Sequence, residues 1–233
     1  MSLNRQEIAT SLINKHDFKT YAEIGVFLGK NFFPIKAEKK IAIDPNFKFN
    51  WFRKLKRSIK NSSNWNASYY ELESDRFFAE KAQAVFQSRK IGVCLVDGMH
   101  EYHFALRDVE NAVQYLQENG VIIMHDCNPA TATAASTFSE WEARGFKDNW
   151  NGDVWKSIVH MRSTRKDLNV FVLDCDFGLG IVTKGQPESM LNFTPEEIEK
   201  MTYADLEKNR EAWLNLKPAS YFYEYFGVQQ AAK

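Results

Sequence analysis

The sequence predicts an α/β fold, Rossmann-like and doubly wound, with a mostly parallel sheet and helices on both faces. Three observations carry that expectation. Glu23-Ile24-Gly25-Val26-Phe27-Leu28-Gly29 closes a short apolar run and is followed by Ile41-Ala42-Ile43-Asp44. This reads as strand, glycine turn, helix, second strand and terminal carboxylate, the way an open parallel sheet builds a nucleoside-binding crevice. Two continuous apolar runs, Ile91 to Asp97 and Val121 to Asp126, each end in aspartate and flank a helical stretch, as buried parallel strands do. Leu168 to Leu173 and Leu179 to Thr183, joined through Asp176-Phe177-Gly178, form a last pair that a short turn makes an antiparallel hairpin.

In chain order, Asn4 to about Asn14 carries Ile8, Leu12 and Ile13 at helical spacing, and Thr20 to Val26 is the first strand. Lys40 to Asp44 is the second. Phe52, Leu55 and Ile59 then mark one apolar helical face, which leaves Arg53, Lys54, Lys56, Arg57 and Lys60 as a solvated basic surface. A strand near Ser68 to Leu72, a helix from about Asp75 to Gln87, and a helix from Tyr102 to Leu116 complete the alternation around the two aspartate-ended strands. Thr194-Pro195-Glu196-Glu197 opens a late helix with a cap, a first-turn proline and acids that complement the helix dipole.

With 233 residues, 44% of them hydrophobic, the chain can bury a full core as one domain spanning 1–233. Its core is expected over about 18–185, with 186–233 a helical, aromatic-rich extension. The tail residues Tyr221, Phe222, Tyr223, Tyr225 and Phe226 suit simple packing, a pocket cap or the interface of a homo-oligomer. Formal net charge is zero, so nothing in the whole chain recommends nucleic acid or a membrane as partner. Cys94, Cys127 and Cys175 lack the paired spacing of a disulfide framework or zinc site. No signal region or bilayer-length apolar run is present, and a cytoplasmic protein is expected.

The ligand crevice of such a sheet lies beyond the carboxyl ends of its strands, which brings Glu23, Asp44, Asp97 and Asp126 to one rim. Gly25 supplies backbone angles closed to other residues, and Gly29 lets the next element or a ligand edge approach closely. Asp44 can accept hydrogen bonds from two ribose hydroxyls. Four acids together need compensation by a sulfonium, a divalent cation or a protonated base. Phosphate ligands fit poorly: Gly25 to Gly29-Lys30-Asn31 has three intervening residues where a P-loop has four. Phe27 stands where a dinucleotide fingerprint has its middle glycine.

With these residues in view, Thr20 to Lys184 resembles the class I S-adenosylmethionine-dependent methyltransferases. Within that class, Asp97-Gly98-x-His100 with Asp108, Asn119-Gly120 and His125-Asp126 looks most like small bacterial enzymes related to macrocin-type sugar O-methyltransferases and cephalosporin-hydroxylase-like proteins. The resemblance implies a seven-stranded sheet whose last strand is antiparallel, in agreement with the terminal hairpin. It also implies S-adenosylmethionine as cofactor, with Glu23 and Gly25 near its methionine part, Asp44 on the ribose, Ser74 and Asp75 near adenine, and Gly29 and Asp97 also among the cofactor-binding residues.

His100, following the acidic strand end, is the expected general base, since an imidazole can be neutral near pH 7 and accept an acceptor hydroxyl's proton. Asp97 and Asp126 are candidate ligands for Mg2+, with Asn128 able to add a carbonyl oxygen. His125 is expected to hydrogen-bond structurally. The segment from Trp150 to Lys156 lies where this fold inserts acceptor-binding structure, with Asp153 suited to cap the next helix. The expected activity is methylation of a small hydroxylated acceptor such as a sugar or secondary metabolite, at oxygen. The alternatives are a nucleotide-dependent oxidoreductase on a similar sheet, or a non-catalytic S-adenosylmethionine-binding protein.

Overall fold

A computed structural model describes residues 3–230 of the chain. Helix α1 (Arg5–His16) starts from Asn4, whose side chain accepts from the Gln6 and Glu7 amides while Glu7 reaches back to the Asn4 amide. That capping box satisfies amides the helix itself cannot. Ile8, Ala9, Leu12 and Ile13 are buried, so α1 lies against one face of the sheet.

The strands are β1 (Thr20–Ile24), β2 (Lys39–Asp44), β3 (Ala67–Glu71), β4 (Ile91–Val96), β5 (Leu116–Met124), β6 (Leu168–Asp174), β7 (Leu179–Lys184) and β8 (Leu216–Pro218). They lie in the order β3-β2-β1-β4-β5-β7-β6-β8. Strands β1 to β5 are parallel, and β7 runs antiparallel to both β5 and β6. The seven expected strands are therefore present, and the short β8 adds an edge beside β6. The chain winds outward from β1 to β3 and returns to β4 on the other side of β1. That reversal opens a crevice at the carboxyl ends of β1 and β4.

One face of the sheet is covered by α3 (Ser74–Glu80), α4 (Ala82–Phe86), α5 (Tyr102–Tyr115), α7 (Trp155–Thr164), α8 (Pro195–Lys200) and α9 (Tyr203–Leu214). Helix α6 (Phe138–Ala143) lies in the preceding loop region. The other face is covered by α1, by Phe32, Phe33 and Ile35, and by α10 (Tyr221–Phe226). The aromatic tail is core packing in its main part: Phe222 and Phe226 are buried, and Tyr221 and Tyr225 set their rings edge-on to Phe171.

Several local expectations are corrected. The segment between Gly29 and Lys39 forms turns in place of a helix. Gly29 at φ +69° and Pro34 break helical continuity, and burial of Phe32, Phe33 and Ile35 fixes the turns. The helix expected over Asp75 to Gln87 divides at Lys81, whose ψ of −36° but φ of −120° separates α3 from α4. Strand β5 begins at Leu116, with an irregularity in its pairing before Val121. Asp153 caps α5, accepting the Tyr102 amide at 2.7 Å, and does not cap α7, whose N-cap is Val154. Most unexpectedly, α2 (Trp51–Lys60) turns its apolar residues outward and buries Ser58.

Candidate functional site

A cavity of about 710 Å³ opens at the carboxyl ends of β1 to β4. Its wall comes from the turn after β1, from Asp44 to Asn46 after β2, from Leu72 to Asp75 after β3, and from Asp97 to His100 after β4. Phe104 and Asp108 of α5 and Arg5 of α1 complete it. Of the expected cofactor residues, Gly25, Asp44, Ser74, Asp75 and Asp97 line this space, as does the expected base His100.

Gly25 has φ +83°, and a Cβ there would lie 1.9 Å from the Asp97 carbonyl oxygen. Only glycine lets the β1 turn lie against the end of β4. The Asp44 carboxylate fixes the same turn from the other side, since Oδ2 accepts the Phe27 amide at 2.7 Å and Oδ1 the Asn46 amide at 2.7 Å. Each oxygen keeps accepting capacity for a ligand hydroxyl. Phe27, held at φ +47°, exposes its ring at the cavity wall, filling the approach a pyrophosphate would need. Gly29 lies outside the cavity lining. Its closeness to the Phe33 ring, 2.4 Å from a would-be Cβ, makes its service one of packing beneath the turn.

Glu23 is also outside the lining. It alternates with Ala22 and Ile24 on β1 and so faces the α1 side with Tyr21, whose hydroxyl donates to Glu23 Oε2 at 2.5 Å. Burial, with the charge of Asp97 adding to it, pushes its carboxyl up to about 8. The expected negative charge at the mouth of β1 is thus absent at pH 7. On the neighbouring strand β2, Lys40 is buried with its three N–H donors on the Phe32 and Ile35 carbonyls and on Asn64 Oδ1, and burial pushes it down to about 7.

The remaining acids form a compact network with two histidines and an arginine. His100 Nδ1 lies 2.9 Å from the Trp150 carbonyl and 3.2 Å from Asp126 Oδ2, its Nε2 is 3.6 Å from Asp97 Oδ1, and its ring stacks on Trp150. Burial lowers the affinity of His100 for a proton, but Asp97, Asp126 and the Trp150 carbonyl together raise its pKa. His125 is drawn into the same network, with Nδ1 at 2.7 Å from Asp126 Oδ2 and 3.2 Å from Asp97 Oδ1. Against the opposing effect of burial, its hydrogen bonds to Asp126, Asp176 and Asp97 raise it to about 11. These carboxylates favour the protonated imidazole, while the Arg5 guanidinium set against Nε2 opposes a second positive charge there. Asp97 is held far below the usual carboxylate range: burial would raise it, and its hydrogen bonds to His100 and His125 and the charge of Arg5 outweigh that.

Arg5 was without a sequence signal. From the first turn of α1 it contacts His125, donates to Asp176 Oδ1 at 3.1 Å, and brings Nε to 3.5 Å from Asp97. Asn151 donates to Asp126, which sits at φ +63° just past β5. Asp176, expected only as part of a hairpin turn, also accepts the Arg5 amide at 3.0 Å. At the opposite end of the cavity, Asp75 pairs with Arg107 on the surface. Behind it Asp108 is buried, which with the charge of Asp75 pushes its carboxyl up to about 7, against the hydrogen bond from Ser74.

Asp97, His100 and Asp126 bring one ligand atom each within 4.8 Å of one another. Two oxygens and an imidazole nitrogen form a donor set less suited to Mg2+, which favours all-oxygen octahedra, than to softer ions. Asn128 contributes nothing here, because its side chain is engaged by Arg210 and Asp174. Cys127 turns its thiol to the Met124 and His125 carbonyls. Arg5 and His125 already engage these acids.

Residues 22–127 match the family model of a methyltransferase domain. That segment runs from β1 to just beyond β5 and contains the glycine turn, Asp44, Ser74, Asp75, Asp97, His100 and Asp126. No curated protein matches the chain. Among solved structures, the chain is similar in fold to a cofactor-bound protein from MTB, with TM-score 0.57 and 9% identity over 79% of this chain and 82% of that one. An SAH-bound methyltransferase from Podospora anserina gives TM-score 0.52 and 14% identity over 80% of each chain. An O-methyltransferase from Bacillus cereus in complex with SAH gives 0.51 and 8%, over 78% and 82%. At these identities the likeness is one of fold.

Proposed function

We propose that the chain is an S-adenosylmethionine-dependent methyltransferase acting at a hydroxyl oxygen of a small acceptor, with 1–233 working as one catalytic domain. The observation that carries this reading is the convergence of Gly25, Asp44, Ser74, Asp75, Asp97 and His100 on a single cavity. The methyltransferase-domain match over residues 22–127 supports it. The resemblance of Asp97-Gly98-x-His100 and His125-Asp126 to macrocin-type and cephalosporin-hydroxylase-like proteins favours a sugar or secondary metabolite as acceptor.

When bound, S-adenosylmethionine supplies an electrophilic methyl group on a sulfonium. The chain's contribution is alignment, exclusion of water and proton removal. Asp44 holds the β1 turn and offers lone pairs to ribose hydroxyls, and Ser74 with Asp75 borders the adenine end. Phe27, Met99 and Phe104 give the mouth an apolar lining that displaces water. His100 takes the proton of the acceptor hydroxyl on Nε2, while Nδ1–H donates to the Trp150 carbonyl and fixes the ring. Asp97 and Asp126 stabilise the imidazolium so formed. Arg5 and His125 already contact these acids, which favours turnover without Mg2+ at Asp97 and Asp126.

Calorimetry with S-adenosylmethionine, S-adenosylhomocysteine and a nicotinamide dinucleotide tests the cofactor. Binding of either adenosyl ligand is expected, and binding of the dinucleotide alone would sink the proposal. Transfer of a labelled methyl group to a panel of sugars and phenols, with and without chelator, tests the reaction.

A further inference from the structure

Helix α2 is amphipathic in the reverse sense. Trp51, Leu55 and Ile59 recur at the spacing of one helical face with Phe52 beside them, and all four are exposed, Trp51 by 61%, Phe52 by 62% and Ile59 by 73%. The side turned to the protein is polar: Ser58 is buried, and Lys54 lies over the Tyr69 ring at 3.9 Å. Trp65, in the short helical turn Ser62–Asn66 after α2, is exposed as well. A helix that stabilised only the fold would be turned the other way. Its apolar side has no partner among the described residues.

The charge of the segment identifies what covers it. Between Pro45 and Tyr70 there is no acidic residue, while Lys48, Arg53, Lys54, Lys56, Arg57 and Lys60 supply six bases. Zero net charge over the whole chain conceals this local excess. A second copy meeting the same face about a two-fold axis would set Lys56 and Lys60 against their own counterparts. The stripe belongs to a single convex helix, and no residue of α2 lines the cavity, so a peptide finds no groove in which to lie. Exposed tryptophan and phenylalanine rings flanked by lysine and arginine are the pattern of a helix that rests in the interface of an anionic bilayer.

We propose that α2 is a membrane-docking helix, inserting Trp51, Phe52, Leu55 and Ile59 at the headgroup boundary of an anionic lipid surface while Lys56 and Lys60 pair with acidic headgroups. The docking is peripheral, since no helix among the described residues is long and apolar enough to cross a membrane. Rim and anchor are linked through one loop: the Lys48 amide bonds the Phe27 carbonyl at 3.0 Å, and Lys48 lines the cavity three residues before α2 begins.

The full chain is sedimented with vesicles of phosphatidylcholine and phosphatidylserine and with vesicles of phosphatidylcholine alone. Binding to the mixed vesicles, weakened by salt and accompanied by a blue shift of tryptophan emission, is expected. The Phe52→Ser/Ile59→Ser variant and the Lys56→Glu/Lys60→Glu variant should each lose about tenfold or more in partitioning, with melting temperature and S-adenosylhomocysteine binding unchanged. Failure of the mixed vesicles to bind the wild-type chain overturns the proposal. So does binding of either variant to the mixed vesicles as tight as that of the wild-type chain, or a wild-type chain that ignores vesicles but associates with itself or with a polyglutamate peptide through this face.

Discussion

Replacing Glu23 by glutamine should make the protein less sensitive to rising pH. Glu23 is 1% exposed, and the Tyr21 hydroxyl satisfies one of its oxygens at 2.5 Å. Its carboxyl is pushed to about 8 in the fold, from an ordinary value of 4.5, principally by burial. The folded chain therefore holds a proton that the unfolded chain has released over this window. The contribution of this group to stability is fully present below pH 4.5 and is lost as pH rises through 8. At about 1.36 kcal/mol per pH unit, a window of about 3.5 units represents about 5 kcal/mol at its limit, and about 3 kcal/mol between pH 5 and pH 7.5. Glutamine retains an acceptor for Tyr21 and cannot ionise.

Urea unfolding of both proteins at several pH values between 5 and 8 measures the difference directly. The glutamine variant should lie close to the wild type at pH 5 and exceed it by a few kcal/mol at pH 8. Lys40 is common to both proteins and its deprotonation near 7 acts in the opposite sense; since the charges of Glu23 and Lys40 also act on each other, the difference between variants reports Glu23 together with that coupling. Parallel stability curves over this range would refute the placement of a neutral carboxyl at the centre of β1.

Other outcomes follow from the same structure. His100→Ala should reduce turnover by about 10² to 10⁴-fold while calorimetric affinity for S-adenosylhomocysteine is retained; undiminished turnover removes His100 as base. Gly25→Ala forces a Cβ to 1.9 Å from the Asp97 carbonyl at φ +83°, and denaturation should show a loss of about 2–5 kcal/mol together with loss of adenosyl-ligand binding. Arg5→Ala should lower the melting temperature by leaving Asp97 and Asp176 less compensated, whereas Arg5→Lys should recover part of the loss. Treatment with chelator should leave methyl transfer within about twofold of the untreated enzyme, since Arg5 and His125 already bridge Asp97, Asp126 and Asp176; loss that Mg2+ restores would contradict this.

The strands were legible because their signals are local. Apolar runs ending in aspartate identify β4 and β5, and the turn residues identify the β6–β7 pair. What escaped depends on long-range packing. No pattern in the sequence distinguishes a helix from turns between Gly29 and Lys39, because burial of Phe32 and Phe33 decides it. Periodicity located the apolar stripe of α2 correctly, but the expectation that its basic side faces solvent and its apolar side the core is reversed in the structure. At the site, glycine spacing and strand-end acids brought out Gly25, Asp44, Asp97 and His100. The same reasoning assigned Glu23 to the rim, yet strand alternation after Tyr21 directs it to the α1 face.

The distribution of the acid–base network explains why a central methyltransferase segment is not the whole site. Asp97, His100, His125 and Asp126 lie within or at the ends of the matched stretch 22–127, and alone they would place two carboxylates together with a single histidine cation. Arg5 from α1 and Asp176 from the β6–β7 turn are joined by two hydrogen bonds, 3.0 and 3.1 Å long, and so tie the first helix to the far side of the sheet through the network. Trp150 orients His100 and Asn151 engages Asp126 from the loop before α7. Three regions outside the segment thus fix the charge, orientation and enclosure of its acids. It follows that Asp176→Asn, which weakens the tie to Arg5 while leaving the core packing of α1 in place, should impair proton transfer even where adenosyl-ligand binding survives, because Asp44, Ser74 and Asp75 depend on none of these contacts.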